Sequence, residues 1–133
     1  MGNRAVITTP EKQIGVYLHW NGGRDTVEPI LKYCKLKGVC PPEEDCYGWA
    51  QFIQIVRNRL SSVGVDRYEN LDTDNYDNGV YIIKDWKIID REFFDGKKEQ
   101  CVYPFNNVLH WINEAQPEIE QIDLSDYPKE DEE

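Results

Sequence analysis

Hydrophobic and polar positions change period several times along the chain, and each change predicts an element. Residues 4–9 (RAVITT) and 13–20 (QIGVYLHW) are rich in β-branched and aromatic residues around Pro10, Glu11 and Lys12, which predicts a hairpin. The second strand runs into Asn21-Gly22-Gly23-Arg24, after which Asp25 is placed to cap a helix, with Glu28 completing a capping box. Val27, Ile30, Leu31 and Cys34 recur at helical spacing, and Gly38 supplies the residue that ends the helix near Lys37. Pro41 and Pro42 block continuation, the acids at 43–45 suit a helix start, and Trp49, Ile53, Val56 and Leu60 form the stripe of a second helix over about 46–61.

After Gly64 the segment DRYENLDTDNYDNG has no apolar period and reads as irregular, ending in a turn before GVYII and WKIIDREFF, two runs of strand composition that pair. Residues 100–103 read as a further short strand. Phe105, Val108, Leu109 and Ile112 then repeat as a third helix ending before Pro117. The order ββ, αα, acidic stretch, ββ, α implies an α+β fold: a single domain over 1–126, with three helices covering one face of an antiparallel sheet made from two hairpins. The other face or the edges are left for solvent or a partner. Residues 127–133 are expected to form an acidic, mobile tail, since PKEDEE has nothing with which to bury itself.

Length changes this picture little, because 133 residues suffice for one core without staples. Four Trp and eight Tyr are generous for that size and direct some aromatics toward a partner. No apolar run reaches the roughly 18 residues of a membrane span, and MGNRAVITT lacks the features of a signal peptide, so a cytoplasmic setting is expected. Cys34, Cys40, Cys46 and Cys101 are then read as thiols, and their spacing does not match the paired ligands of structural zinc sites. No metal or cofactor is expected.

Charge changes the picture more. Eight Lys/Arg against six Asp/Glu up to Gly64 give +2, whereas seven against nineteen beyond it give −12. A one-signed surface attracts basic proteins and repels phosphate backbones, which argues against direct nucleic-acid binding. Asp66, Glu69, Asp72, Asp74 and Asp77 are the candidate binding acids: carboxylates displayed at intervals comparable to phosphates can occupy the basic channel of a nucleic-acid-handling protein. Exposed acids of this kind are expected to add little to folding stability.

Three shorter motifs carry candidate chemistry. HWNGGRD brings Trp20, Asn21, Gly22, Gly23 and Arg24 to a strand-to-helix junction, where backbone N–H groups, an arginine and an aromatic platform suit a nucleotide. Asp45-Cys46-Tyr47-Gly48-Trp49-Ala50 resembles the neighbourhood of the nucleophile in papain-like cysteine peptidases, but the strands expected after it contain no histidine and Asp45 opposes a thiolate. Asn70 to Gly79 offers oxygen ligands, yet Asn75 and Tyr81 replace the glycine and glutamate of a calcium loop.

Taken together, MGNRAVITT, GVYLHWNGGRDTVEPILKYC, DCYGWA and DNYDNGVYIIKDWKIIDREFFDG resemble a group of small proteins carried by phages and mobile elements of Gram-positive bacteria. The resemblance implies a setting inside the host cell and a role in countering host defence, as a CRISPR-inhibitor-like DNA mimic or as a sponge for a nucleotide signal. It supplies no catalytic residue. The expectation is a non-enzymatic inhibitor that binds a basic host protein, with nucleotide capture and cysteine hydrolysis as alternatives.

Overall fold

A computed structural model describes residues 3–96, 99 and 102–130. The strands are β1 (Ala5–Thr8), β2 (Ile14–Leu18), β3 (Val63–Arg67), β4 (Val80–Lys84) and β5 (Lys87–Glu92), and the helices are α1 (Arg24–Lys37), α2 (Tyr47–Arg57) and α3 (Phe105–Glu114). Single 3₁₀ turns follow β3 at Tyr68–Asn70 and α3 at Glu118–Glu120. The domain is α+β, with both expected hairpins, β1–β2 and β4–β5, in place.

The sheet differs from the expected antiparallel one in two ways. Its order is β3-β2-β1-β4-β5, and the hairpins join through a parallel β1–β4 pair in the register Val6↔Val80, Ile7↔Tyr81, Thr8↔Ile82. A fifth strand, β3, pairs antiparallel with β2 where no strand was expected, and its last two residues open the stretch read as irregular. Four of its five residues are exposed, so backbone bonds to β2 hold it and no apolar alternation betrays it. Of the expected strand at 100–103, residues 100 and 101 lie outside the described residues, and Val102 and Tyr103 are not in a strand.

Period-two alternation sorts the strand residues between two cores. Ala5, Ile7, Val16, Leu18, Tyr81 and Ile83 face the helices and meet Val27, Ile30 and Leu31 of α1, Phe52 and Val56 of α2, and Leu109 and Ile112 of α3. Val6, Val80 and Ile82 face the other way, against Tyr17, Tyr68 and Leu71. The acidic stretch after β3 therefore covers the second face of the sheet, the face expected to be left open. Leu71 lies so close over Gly15 that a Cβ there would sit 2.7 Å from its Cδ1.

Local signals explain most element ends. Gly38 stops α1 at φ 81. Gly23 caps the start of α1 through its backbone, so the expected capping box of Asp25 and Glu28 does not form; Asp25 instead accepts the N–H groups of Val102 and Tyr103 at 3.0 and 3.3 Å. Asp85 and Trp86, at φ 51 and 60, make the two-residue turn of the β4–β5 hairpin. Trp86 is thus a turn residue, yet it is buried, stacks on Phe52 at 5.7 Å and donates Nε1–H to the Val39 carbonyl at 2.7 Å.

The chain beyond α3 returns along the helices. Asn113 exchanges two side-chain hydrogen bonds with the backbone of Ile122, and Leu124 is buried. The segment expected to be mobile from 127 onward continues these contacts: His110 Nε2–H donates to the Tyr127 carbonyl at 2.7 Å, Asn106 to that of Pro128, and Asn107 pairs with both backbone groups of Glu130. Residues 131–133 of that tail lie outside the described residues.

Candidate functional site

The junction at 20–24 is built by the end of β2 entering α1. Asn21 takes the left-handed conformation at φ 61, and Gly22 lies against the first strand, its N–H donating to the Asn3 carbonyl at 2.8 Å. A Cβ on Gly22 would stand 2.5 Å from that oxygen and 2.7 Å from Ala5 Cβ, while its own carbonyl accepts the Tyr81 hydroxyl at 2.7 Å. Gly22 is therefore a close-packing glycine, and Gly23 serves α1 as its cap. Neither forms an open anion cradle.

Arg24 is turned away from that role as well. Its Nε donates to Glu28 at 2.7 Å and its guanidinium lies 3.8 Å from Glu99, contacts that raise its pKa further. Trp20, half exposed, meets His19 edge to face at 5.2 Å. The cation beside this junction is Arg59, at the end of α2, whose guanidinium stacks 4.2 Å over Trp111 of α3. Two clefts adjoin there. One, of about 250 Å³, is lined by Asn21, Thr26, Tyr103, Asn107, Val108 and Trp111. The other, of about 260 Å³, shares Asn21 and Trp111 and adds Trp20, Arg59 and residues 60–62.

The acidic stretch is organised by one buried amide. Asn75 donates to the carbonyls of Asp72 and Gly79 at 2.9 and 3.3 Å and accepts the N–H groups of Asp77 and Gly79 at 3.1 and 3.0 Å. These bonds hold Tyr76 at φ 64 with 83% of its surface exposed. Asp74 is exposed beside it. The candidate acids consequently divide. Asp77 binds the backbone N–H and the Nε of Arg4, and Asp72 lies 3.7 Å from the same guanidinium. Asp66 accepts from Asn70 and from the N–H of Arg67, which lowers its pKa, and Glu69 pairs with Arg67 at 3.5 Å. Asp77, half-buried and bonded to Arg4, fastens the loop to the entry of β1 and so differs from the exposed acids expected to add little to folding.

The calcium-like ligands do not converge: Asn70 turns to Asp66 and Asp72 to Arg4, and no cluster of three or more metal-ligating side chains occurs among the described residues. Cys46 is exposed at the start of α2, in a cleft with Glu11, Glu44, Asp45 and Trp49 that no histidine lines. His110 is bonded to Tyr127, and His19 Nδ1 lies 2.9 Å from the Tyr17 hydroxyl. Burial pushes the Cys34 thiol up; burial together with Asp45, Glu44 and Glu43 does the same for Cys40.

Tyr76, Arg59 and Trp111 are the residues that sequence reasoning missed. The aromatic count hinted at the first and third, but only tertiary contacts bring Arg59 and Trp111 to Trp20 and Asn21. No family model matches the chain, and searches of curated proteins and of solved structures give no match. No helix among the described residues is long and apolar enough to cross a membrane.

Proposed function

We propose that this protein acts by binding rather than catalysis, as an accessory protein of a phage or mobile element that inhibits a host defence component in the host cytoplasm. Its partner is a basic, nucleic-acid-handling protein, met by an acidic surface that stands in for a phosphate backbone. The observation that carries this reading is the 72–77 loop, where buried Asn75 fixes a fully displayed Tyr76 between Asp74 and Asp77. A non-glycine residue held at positive φ on a rigid loop is a strained feature of the kind retained at contact sites. Preorganised tyrosines bind at low entropic cost and are frequent anchors of interfaces, and flanking acids steer a basic partner. Asp66 and Glu69, at the neighbouring edge of the sheet, extend the same charge, while Asp72 and Asp77 share theirs with Arg4.

The test is purification of the tagged protein from host cells at low salt, with identification of what it retains. A basic nucleic-acid-binding protein released by duplex DNA or by raised salt is the expected result. Tyr76→Gly, which relieves the strained backbone, and Asp74→Asn should each weaken that complex at least tenfold without loss of folding. Retention of no protein, or of one indifferent to both substitutions and to DNA, overturns the reading.

A further inference from the structure

The two clefts that meet at Asn21 and Trp111 form a trough that the acidic-surface reading does not use. The clefts hold about 250 and 260 Å³ and lie side by side, so that a ligand spanning both would have the room of a small-molecule site. Among the described residues no aspartate or glutamate lines either cleft, in a chain with 25 acids, and one arginine does. Asp25, the neighbouring acid at the start of α1, is engaged by the N–H groups of Val102 and Tyr103. The trough is thus locally tolerant of anions within a protein of net charge −10.

Its walls present three ring systems. Trp20 and Tyr103 are 48% and 57% exposed at its two ends, and Trp111 lies between them with Arg59 stacked on it. At the centre stands Asn21, whose side-chain amide makes no hydrogen bond among the described residues, whereas the amides of Asn75, Asn78, Asn107 and Asn113 are all bonded. An unpartnered amide offers one donor and one acceptor in a plane, the pattern that matches the N6 and N7 edge of adenine. Aromatic faces stack on a base, and an arginine held by an indole pairs with a phosphate.

We propose that this trough binds an adenine nucleotide: the base stacks on the exposed rings and pairs with Asn21, and Arg59 takes the phosphate. The nucleotide site is thereby moved from Arg24, which is bound to Glu28 and Glu99, to Arg59 on the other side of the junction. This proposal is independent of the acidic loop.

The full chain is titrated with AMP, adenosine and inorganic phosphate, following tryptophan fluorescence and heat. AMP is expected to bind more tightly than adenosine and to quench tryptophan emission, with phosphate alone binding weakest. Asn21→Gly, which keeps the positive φ and removes only the amide, should weaken AMP and adenosine alike by about tenfold. Arg59→Gln should weaken AMP by a similar factor and leave adenosine unchanged. Trp20→Ala, on the exposed rim, serves as a third variant if either of the others misfolds, and should reduce quenching and affinity. Absence of AMP binding at millimolar concentration overturns the proposal. So does binding that all three substitutions leave intact, or phosphate binding that the adenosine moiety does not strengthen.

Discussion

Asp77 holds Arg4 twice, accepting its backbone N–H at 3.0 Å and its guanidinium Nε at 2.8 Å, across 73 residues of chain. The pair fastens the end of the acidic loop to the entry of β1, two residues before the parallel junction where Val6 N–H donates to the Gly79 carbonyl. Among the loop acids, structural and displayed carboxylates can therefore be told apart. Asp77→Asn should lower the melting temperature by about 3–8 °C, since the substitution weakens a charge-assisted bond and frees a backbone donor. Asp74→Asn should shift it by no more than about 2 °C, because Asp74 is exposed. Equal shifts in thermal unfolding followed by circular dichroism would contradict this division.

Asn75 is the loop's organiser, fully buried and bonded to four backbone groups. Asn75→Ala leaves those groups to find other partners inside the protein, which should cost about 2–3 kcal/mol in urea unfolding. The loss should be local first. Hydrogen exchange at Asp77 and Gly79 should accelerate before that of β2 or α3, and uniform acceleration would show that the loop is not a separately held unit.

How much of this could be read from the sequence depended on whether the cause was local. The β1–β2 hairpin, the Gly38 stop of α1 and the stripe of α3 rest on composition and period, and the structure has them. β3 was illegible because its exposed residues carry no pattern, and the parallel β1–β4 pair because no local signal specifies which hairpins abut. The junction at 20–23 was legible since its residues are contiguous. The partner that Arg24 takes was legible too: Glu28 lies one helical turn on and pairs with it. Arg59 and Trp111 lie 52 residues apart and meet only in the folded chain, where the guanidinium stacks on the indole beside Asn21.

Burial also sets a pH limit. Tyr33 is fully buried, its hydroxyl donates to the Glu120 carbonyl, and burial raises its pKa to about 12; Tyr81 and Cys34 are pushed up for the same reason. An unfolded phenol titrates near 10, so the neutral form is favoured by folding. The stability this contributes is whole below about pH 10 and is lost as pH rises from about 10 to about 12. Urea midpoints should be flat from about pH 7 to 8, begin to fall above about 8.5 as the unfolded Cys34 thiol ionises, and fall more steeply beyond about 10. Tyr33→Phe should reduce the alkaline loss, and an unchanged slope in that variant would remove Tyr33 as its source.

Cys46 has the position of a helix-start nucleophile without its supporting groups. It shares its cleft with Glu11, Glu44 and Asp45, and the imidazoles of His19 and His110 are engaged by Tyr17 and by the Tyr127 carbonyl. Cysteine hydrolysis requires a base within hydrogen-bond reach of the sulfur to take its proton. Cys46→Ser should accordingly leave host-protein capture and AMP binding unchanged within twofold. Alkylation by iodoacetamide gives the second measurement: at pH 7 the exposed Cys46 should react no faster than the thiol of free cysteine. A rate at least tenfold above that of free cysteine, together with loss of function in a folded Cys46→Ser protein, would reverse the assignment and make Cys46 a nucleophile.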